Sequence, residues 1–108
     1  MKIENITPFL HFTHGLSCET RIRILYALVE KEHSASELLS IVGGTQPNLS
    51  QHLSCLVECG FLTKRTHGRF NFFSLKNEEI KAFLSVMDST VESMHWTGTN
   101  RVCGKEVD

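Results

Sequence analysis

The stretch from His52 to Leu62, HLSCLVECGFL, sets Cys55 and Cys59 four positions apart in a segment that reads as a helix closing at Gly60. Residues i and i+4 on a helix lie one above the other, about 5–6 Å apart at Cβ. Two thiolates at that separation can grip one large soft ion, and soft sulfur ligands select such ions over magnesium, calcium or manganese. Because the ligand is the thiolate, affinity would fall at low pH. The plain alternative is that both cysteines are small buried hydrophobes beside the core stripe. A disulfide between them is disfavoured by the i,i+4 geometry.

The chain around this pair has 108 residues, the size of one domain. It can bury one modest core, and a domain this small often gains stability by dimerising. Net charge is −1, so no global field draws the chain to nucleic acid or membrane, and any nucleic-acid binding needs a local basic patch. The N-terminus MKIENITPFL lacks the continuous apolar run of a signal peptide, and the longest apolar run, Ile24 to Val29, is far short of a membrane span. A cytoplasmic location follows as the expectation, with reduced thiols and no membrane partner. Cys18, Cys55, Cys59 and Cys103 then read as metal or redox thiols, not as a disulfide framework. No supported Ser/His/Asp order, phosphate loop or C-x-x-C motif is present, so neither an enzyme nor a small-molecule substrate is expected.

The elements that must carry the cysteines follow from periodicity and punctuation. Ile6, Phe9, Leu10 and Leu16 suggest a short N-terminal apolar helix. Ser17 can cap a second helix over Glu19–Glu30, whose apolar residues include Ile22, Leu25 and Leu28. Ser34 and Glu37 form a capping-box pattern ahead of a short helix, Ser36–Val42, stopped by Gly43-Gly44. Thr45-Gln46-Pro47 starts the next helix, which runs to Cys59 with Leu49, Leu53, Leu56 and Val57 inward. Two strands, Phe61–Thr66 and Arg69–Leu75, join through His67-Gly68. Asn77 can cap a last helix whose stripe is Ile80, Phe83, Leu84, Met87, Val91 and Met94. That stripe is either core or, as preferred here, a homodimer interface shared with the N-terminal helix, with Trp96 closing the dimer core. The expected fold is mainly α with a β-hairpin wing: a winged helix-turn-helix over residues 1–96, with a loose, aperiodic tail at 97–108.

In a helix-turn-helix the second helix enters the major groove by its N-terminal end. Here that end carries Thr45, Gln46, Asn48, Ser50 and Gln51, with His52 as a phosphate contact or core-edge residue. Gln and Asn can pair bidentately with adenine, while Ser and Thr reach bases or phosphates. Lys64, Arg65, His67 and Arg69 cluster around the hairpin tip and supply the positive charge that backbone or minor-groove contact requires. The plain alternative is a solvated helix face beside a hairpin that is basic for solubility alone. The two features in one winged arrangement favour double-stranded operator DNA as the partner.

The segments LSCETRIRILYALVE, SASELLSIVGGTQPNLSQHLSCLVECGFL and KRTHGRFNFFSL resemble the ArsR/SmtB family of metal-responsive repressors, from about Leu16 to Leu75. The resemblance implies a homodimer that binds an inverted-repeat operator when metal-free and is released by metal. The HLSCLxxCG pattern is similar to that of the family's cadmium/lead sensors, which use two cysteines of the DNA-reading helix and one of the C-terminal tail. This implies Cys55, Cys59 and Cys103 as ligands, with Cd(II) or Pb(II) as inducer and the tail as a tether to the reading helix. Three sulfurs suit Pb(II) or As(III), whereas Cd(II) and Zn(II) favour a fourth ligand such as Cys18, a histidine or water. The family's zinc pattern on the last helix is not met, since only Asp88 and His95 stand there, and ELLSIV lacks the cysteines of the older arsenic site. Cys18 departs from the cadmium/lead pattern and is similar to the N-terminal cysteine of some arsenic sensors. The alternative is therefore the same fold answering to As(III), or to a redox or persulfide signal through Cys18 and Cys103. His11 and His14 read as an ordinary polar face.

Overall fold

The computed structural model describes residues 2–94 and the backbone of two short strands further on, Arg101–Val102 and Lys105–Glu106. After a single 3-10 turn at Ile3–Asn5 come helices α1 (Thr7–Gly15) and α2 (Glu19–Ala27), strand β1 (His33–Ser34) and helices α3 (Ala35–Val42) and α4 (Gln46–Glu58). The hairpin β2 (Leu62–His67) and β3 (Phe70–Leu75) leads to α5 (Glu78–Ser93). The three strands form one antiparallel sheet in the order β1-β3-β2, with Leu62 opposite Leu75 at its base and His67 opposite Phe70 at its tip. Gly68 turns the hairpin with a positive φ of 63°, a conformation that a side chain would disfavour.

The helix-turn-helix boundaries follow from local chemistry. The Ser34 hydroxyl accepts the Glu37 N–H at 3.1 Å while the Glu37 carboxylate accepts the Ser34 N–H at 2.9 Å, closing the capping box of α3. Ser34→Ala is expected to cost about 1 kcal/mol in urea denaturation, since it orphans a part-buried helix-terminal N–H. The Ser34 N–H, and then His33, hold the Glu37 carboxyl below its ordinary range. A lowered folded-state value stabilises above the unfolded carboxylate range and is lost as pH falls through the folded value. Glu37→Gln should therefore flatten the acid limb of a stability-against-pH curve and leave neutral stability less dependent on pH.

The α4 entry uses Thr45, whose hydroxyl accepts the Asn48 N–H at 3.4 Å, with Pro47 in the first turn. Asn77 caps α5 through Ile80 N–H at 2.9 Å. Leu25, Leu38, Leu49, Leu56, Phe61 and Leu84 are central to the core that joins the helices to the sheet. Phe61 is fully buried, stacks 4.8 Å from Phe12, and lies against Gly15, where an added Cβ would come within 2.4 Å of its ring.

Several expectations shift. Cys18, not Ser17, is the N-cap of α2, because Ser17 turns back and donates its hydroxyl to the His14 carbonyl at the end of α1. Helix α2 stops at Ala27, since Leu28 N–H closes onto Ile24 and Leu25 and leads the chain out to β1. The hairpin strands begin one residue later than expected, and β1 joins them through His33 opposite Phe73. The tail, expected to be aperiodic throughout, carries a two-residue antiparallel pairing of Arg101–Val102 with Lys105–Glu106. The α5 stripe divides: Ile80, Phe83, Leu84 and Met87 pack on the core, while Val91 and Met94 are exposed. Phe9 and Leu10 of α1 are exposed as well. His95, Trp96 and Cys103 lie outside the described residues.

Candidate metal and nucleic-acid sites

The N-terminal half of α4 presents Gln46, Asn48, Ser50 and Gln51 to solvent, while Leu49, Leu53 and Leu56 anchor the opposite side. Thr45 is exposed too, though its hydroxyl serves the cap. An open groove of about 360 Å³ separates this helix from the sheet, lined by Gln46, Ser50, Ser54, Lys64 and Asn71 among others. His52 sits apart from this surface. It is half-buried, and its Nδ1 accepts from Arg21 of α2 at 3.3 Å. That contact sets its ring beside α2 at the edge of the core.

Strand alternation splits the four basic wing residues. Lys64 is opposite Phe73 and faces the groove. Arg65, opposite Phe72, points the other way. It donates to the Glu32 carboxylate at 2.6 Å and lies 4.7 Å over the Phe72 ring. Among the described residues, Arg65 is the only one of the four in an ion pair; Lys64, His67 and Arg69 are exposed around the tip.

Cys55 and Cys59 sit on another stripe of α4, both half-buried, with their sulfurs 4.0 Å apart. Two thiolates on one tetrahedral ion at the zinc–sulfur distance of about 2.3 Å stand roughly 3.8 Å apart. The pair thus stands close to chelating separation, and the helix supplies it: Cys59 is the C-cap residue, held by its N–H to the Cys55 carbonyl at 2.9 Å. Burial and the neighbouring Cys55 sulfhydryl push the Cys59 thiol above its ordinary range, against a smaller opposing pull from Arg21. The raised Cys59 thiol disfavours the thiolate that a metal requires, so an incoming ion must displace its proton. Among the described residues no third Cys, His, Asp or Glu joins the pair. Cys18, at the start of α2, is half-buried and not grouped with it.

Arg21 and Glu32 escaped the reading of the sequence. Arg21 lies within TRIRIL between Thr20 and Ile22, and its immediate neighbours do not set it apart from Arg23, which pairs with Glu19 at the surface.

Residues 18–64 match the bacterial regulatory proteins of the arsR family. The arsenical resistance operon repressor of Bacillus subtilis is 32% identical over 72 residues, which cover 66% of this chain and 69% of that protein. The chain belongs to the arsR family. Its members are DNA-binding transcriptional regulators and not enzymes. This arsR-family chain is also similar to the regulator CmtR of Mycobacterium bovis, 33% identical over 77 residues that cover 71% of this chain and 65% of CmtR. Two further curated relatives are matched over only 46% and 60% of their own length. The crystal structure of Rv0081 from Mycobacterium tuberculosis superposes with a TM-score of 0.78 at 32% identity, covering 87% of this chain and 94% of that one. The winged helix-turn-helix is thus the family fold, and no described helix is long and apolar enough to cross a membrane.

Proposed function

We propose that this chain is a repressor that binds operator DNA as a metal-free homodimer and is released when a soft thiophilic ion, Cd(II) or Pb(II), is held by Cys55 and Cys59. The observation that carries this reading is the 4.0 Å sulfur separation, which suits one ion held by two adjacent turns of the reading helix. A third sulfur from Cys103, of the same or the other subunit, completes the set in this proposal. The homodimer rests on the exposed Phe9 and Leu10 of α1 and Val91 and Met94 of α5, apolar side chains that a second copy would cover. The operator has inverted-repeat symmetry in this reading, because a two-fold dimer presents its two α4 helices to two equivalent half-sites.

Anaerobic titration of reduced protein with lead and then cadmium, followed by ultraviolet absorption, tests the site. Thiolate-to-metal bands should saturate near one ion per subunit. A featureless spectrum through the titration would remove the metal from the proposal. As(III) is the second reading, supported by the Bacillus subtilis relative's named role and by the preference of As(III) for three sulfurs. A redox signal through Cys55 and Cys59 gains no support from a raised thiol and a 4.0 Å gap, about twice a disulfide bond length.

DNA contact is expected to be salt-sensitive, each lysine or arginine on a phosphate adding about 0.9 to the slope of log K against log salt. Lys64→Ala and Arg69→Ala should each lower that slope by about one contact's worth. Arg65→Ala should lower it less, because Glu32 already holds its charge. Fluorescence anisotropy on labelled promoter DNA at several salt concentrations separates the three.

A further inference from the structure

Arg21 is a half-buried cation that ties three helices together. From α2, its Nε donates to the Gly15 carbonyl at 3.2 Å and its Nη2 to the His14 carbonyl at 2.9 Å, two carbonyls of the last turn of α1, the second shared with Ser17. Its Nη1 donates to His52 Nδ1 on α4. His52, Cys55 and Cys59 are spaced i, i+3 and i+7, so they form one stripe of that helix. A second link lies just beyond the pair, where Phe61 rests on Gly15 and stacks on Phe12. The thiols therefore stand between two points at which α4 and its continuation grip the last turns of α1.

We propose that Arg21 is a positioning residue that transmits displacement of the thiol stripe of α4 to the end of α1. This inference rests on the metal-release reading for its biological use, but the mechanical link exists without metal. An ion held by Cys55 and Cys59 and drawn toward the third sulfur that completes its set pulls on the helix segment between the two grips. The guanidinium fork converts that pull into a shift of the α1 carbonyls, because it bonds both ends at once. Helix α1 carries the exposed Phe9 and Leu10, so a shift there alters the face that a second copy would cover. Release then need not travel through the tail alone.

Amide hydrogen exchange on the full-length reduced protein tests this. His52→Ala removes the α4 end of the bridge and leaves the Arg21–carbonyl bonds to fend for themselves. Exchange at the Leu16 and Ser17 amides, which bond Thr13 and His14, should then accelerate by about tenfold while the β2–β3 amides stay as they were. In wild type, cadmium should change exchange in the same α1 segment. Arg21→Lys, which keeps the charge but not the fork, should keep the cadmium–thiolate band and lose that change. Unaltered α1 exchange in His52→Ala overturns the inference, as does an α1 response to cadmium in Arg21→Lys equal to that of wild type. If wild type develops no cadmium band, the metal reading fails, and the His52→Ala comparison still decides the link. Should Arg21→Lys fail to fold, His52→Gln takes its place in the cadmium comparison.

Discussion

Phe61→Ala is expected to remove roughly 3–5 kcal/mol of folding stability, the cost of emptying a fully buried aromatic position. A domain of this size has a total of about 5–15 kcal/mol, so the variant should unfold at markedly lower urea or fail to accumulate at 37 °C. The ring is enclosed from several directions. Phe12 stacks on it, Gly15 leaves the space it fills, and the Phe61 N–H and carbonyl bond Leu56 and Lys76. Gly15→Val attacks the same contact from the other side, since a Cβ within 2.4 Å of Cε2 forces the ring or α1 to move. Overpacking of this kind costs about 1–3 kcal/mol or more. Phe70→Ala is the control: that ring is 58% exposed at the hairpin tip, and its loss should leave the urea midpoint nearly unchanged.

Cys55→Ser and Cys59→Ser should each weaken soft-ion binding by on the order of 10²–10⁴, the advantage a second tethered ligand confers over a single one. Metal-free DNA binding should stay within a few-fold of wild type, because both sulfurs lie off the Gln46–Gln51 surface. Wild-type affinity should also fall steeply as pH is lowered. Two thiols must lose protons, Cys59 has a raised value, and below that range apparent affinity drops by up to roughly two decades per pH unit. Competition with a chromophoric chelator across pH 6–8 measures both effects. A serine variant that retains wild-type affinity would place the ion elsewhere.

The parts of this account that could be read in the sequence are those fixed by local chemistry. Ser34 with Glu37, Gly43-Gly44 and Thr45-Gln46-Pro47 mark the helix-turn-helix because each satisfies or ends a helix using residues within four positions. The Cys55–Cys59 pair was legible for the same reason, as an i,i+4 relation on one helix. Contacts between residues distant in sequence were not. Strand β1 is two residues long and exists because β3 offers it partners about forty positions on, so periodicity had nothing to register. The Ser17 hydroxyl had the carbonyls at the end of α1 and the free N–H groups at the start of α2 within reach, and it donates to the former. Glu32 with Arg65, Arg21 with His52, and Gly15 with Phe61 are all pairings across the fold, and residue type alone does not choose among possible partners.

The central claim is that soft-ion binding and DNA binding exclude one another. The most direct test is anaerobic anisotropy of the reduced wild-type protein on its own promoter DNA, before and after one equivalent of lead or cadmium per subunit. The expected result is a loss of DNA affinity by about 10–100-fold, within the usual range of coupling between two sites. Chelator should reverse it, and Cys55→Ser should not show it. Equal affinity with and without the ion, measured while the thiolate band is saturated, would contradict the claim.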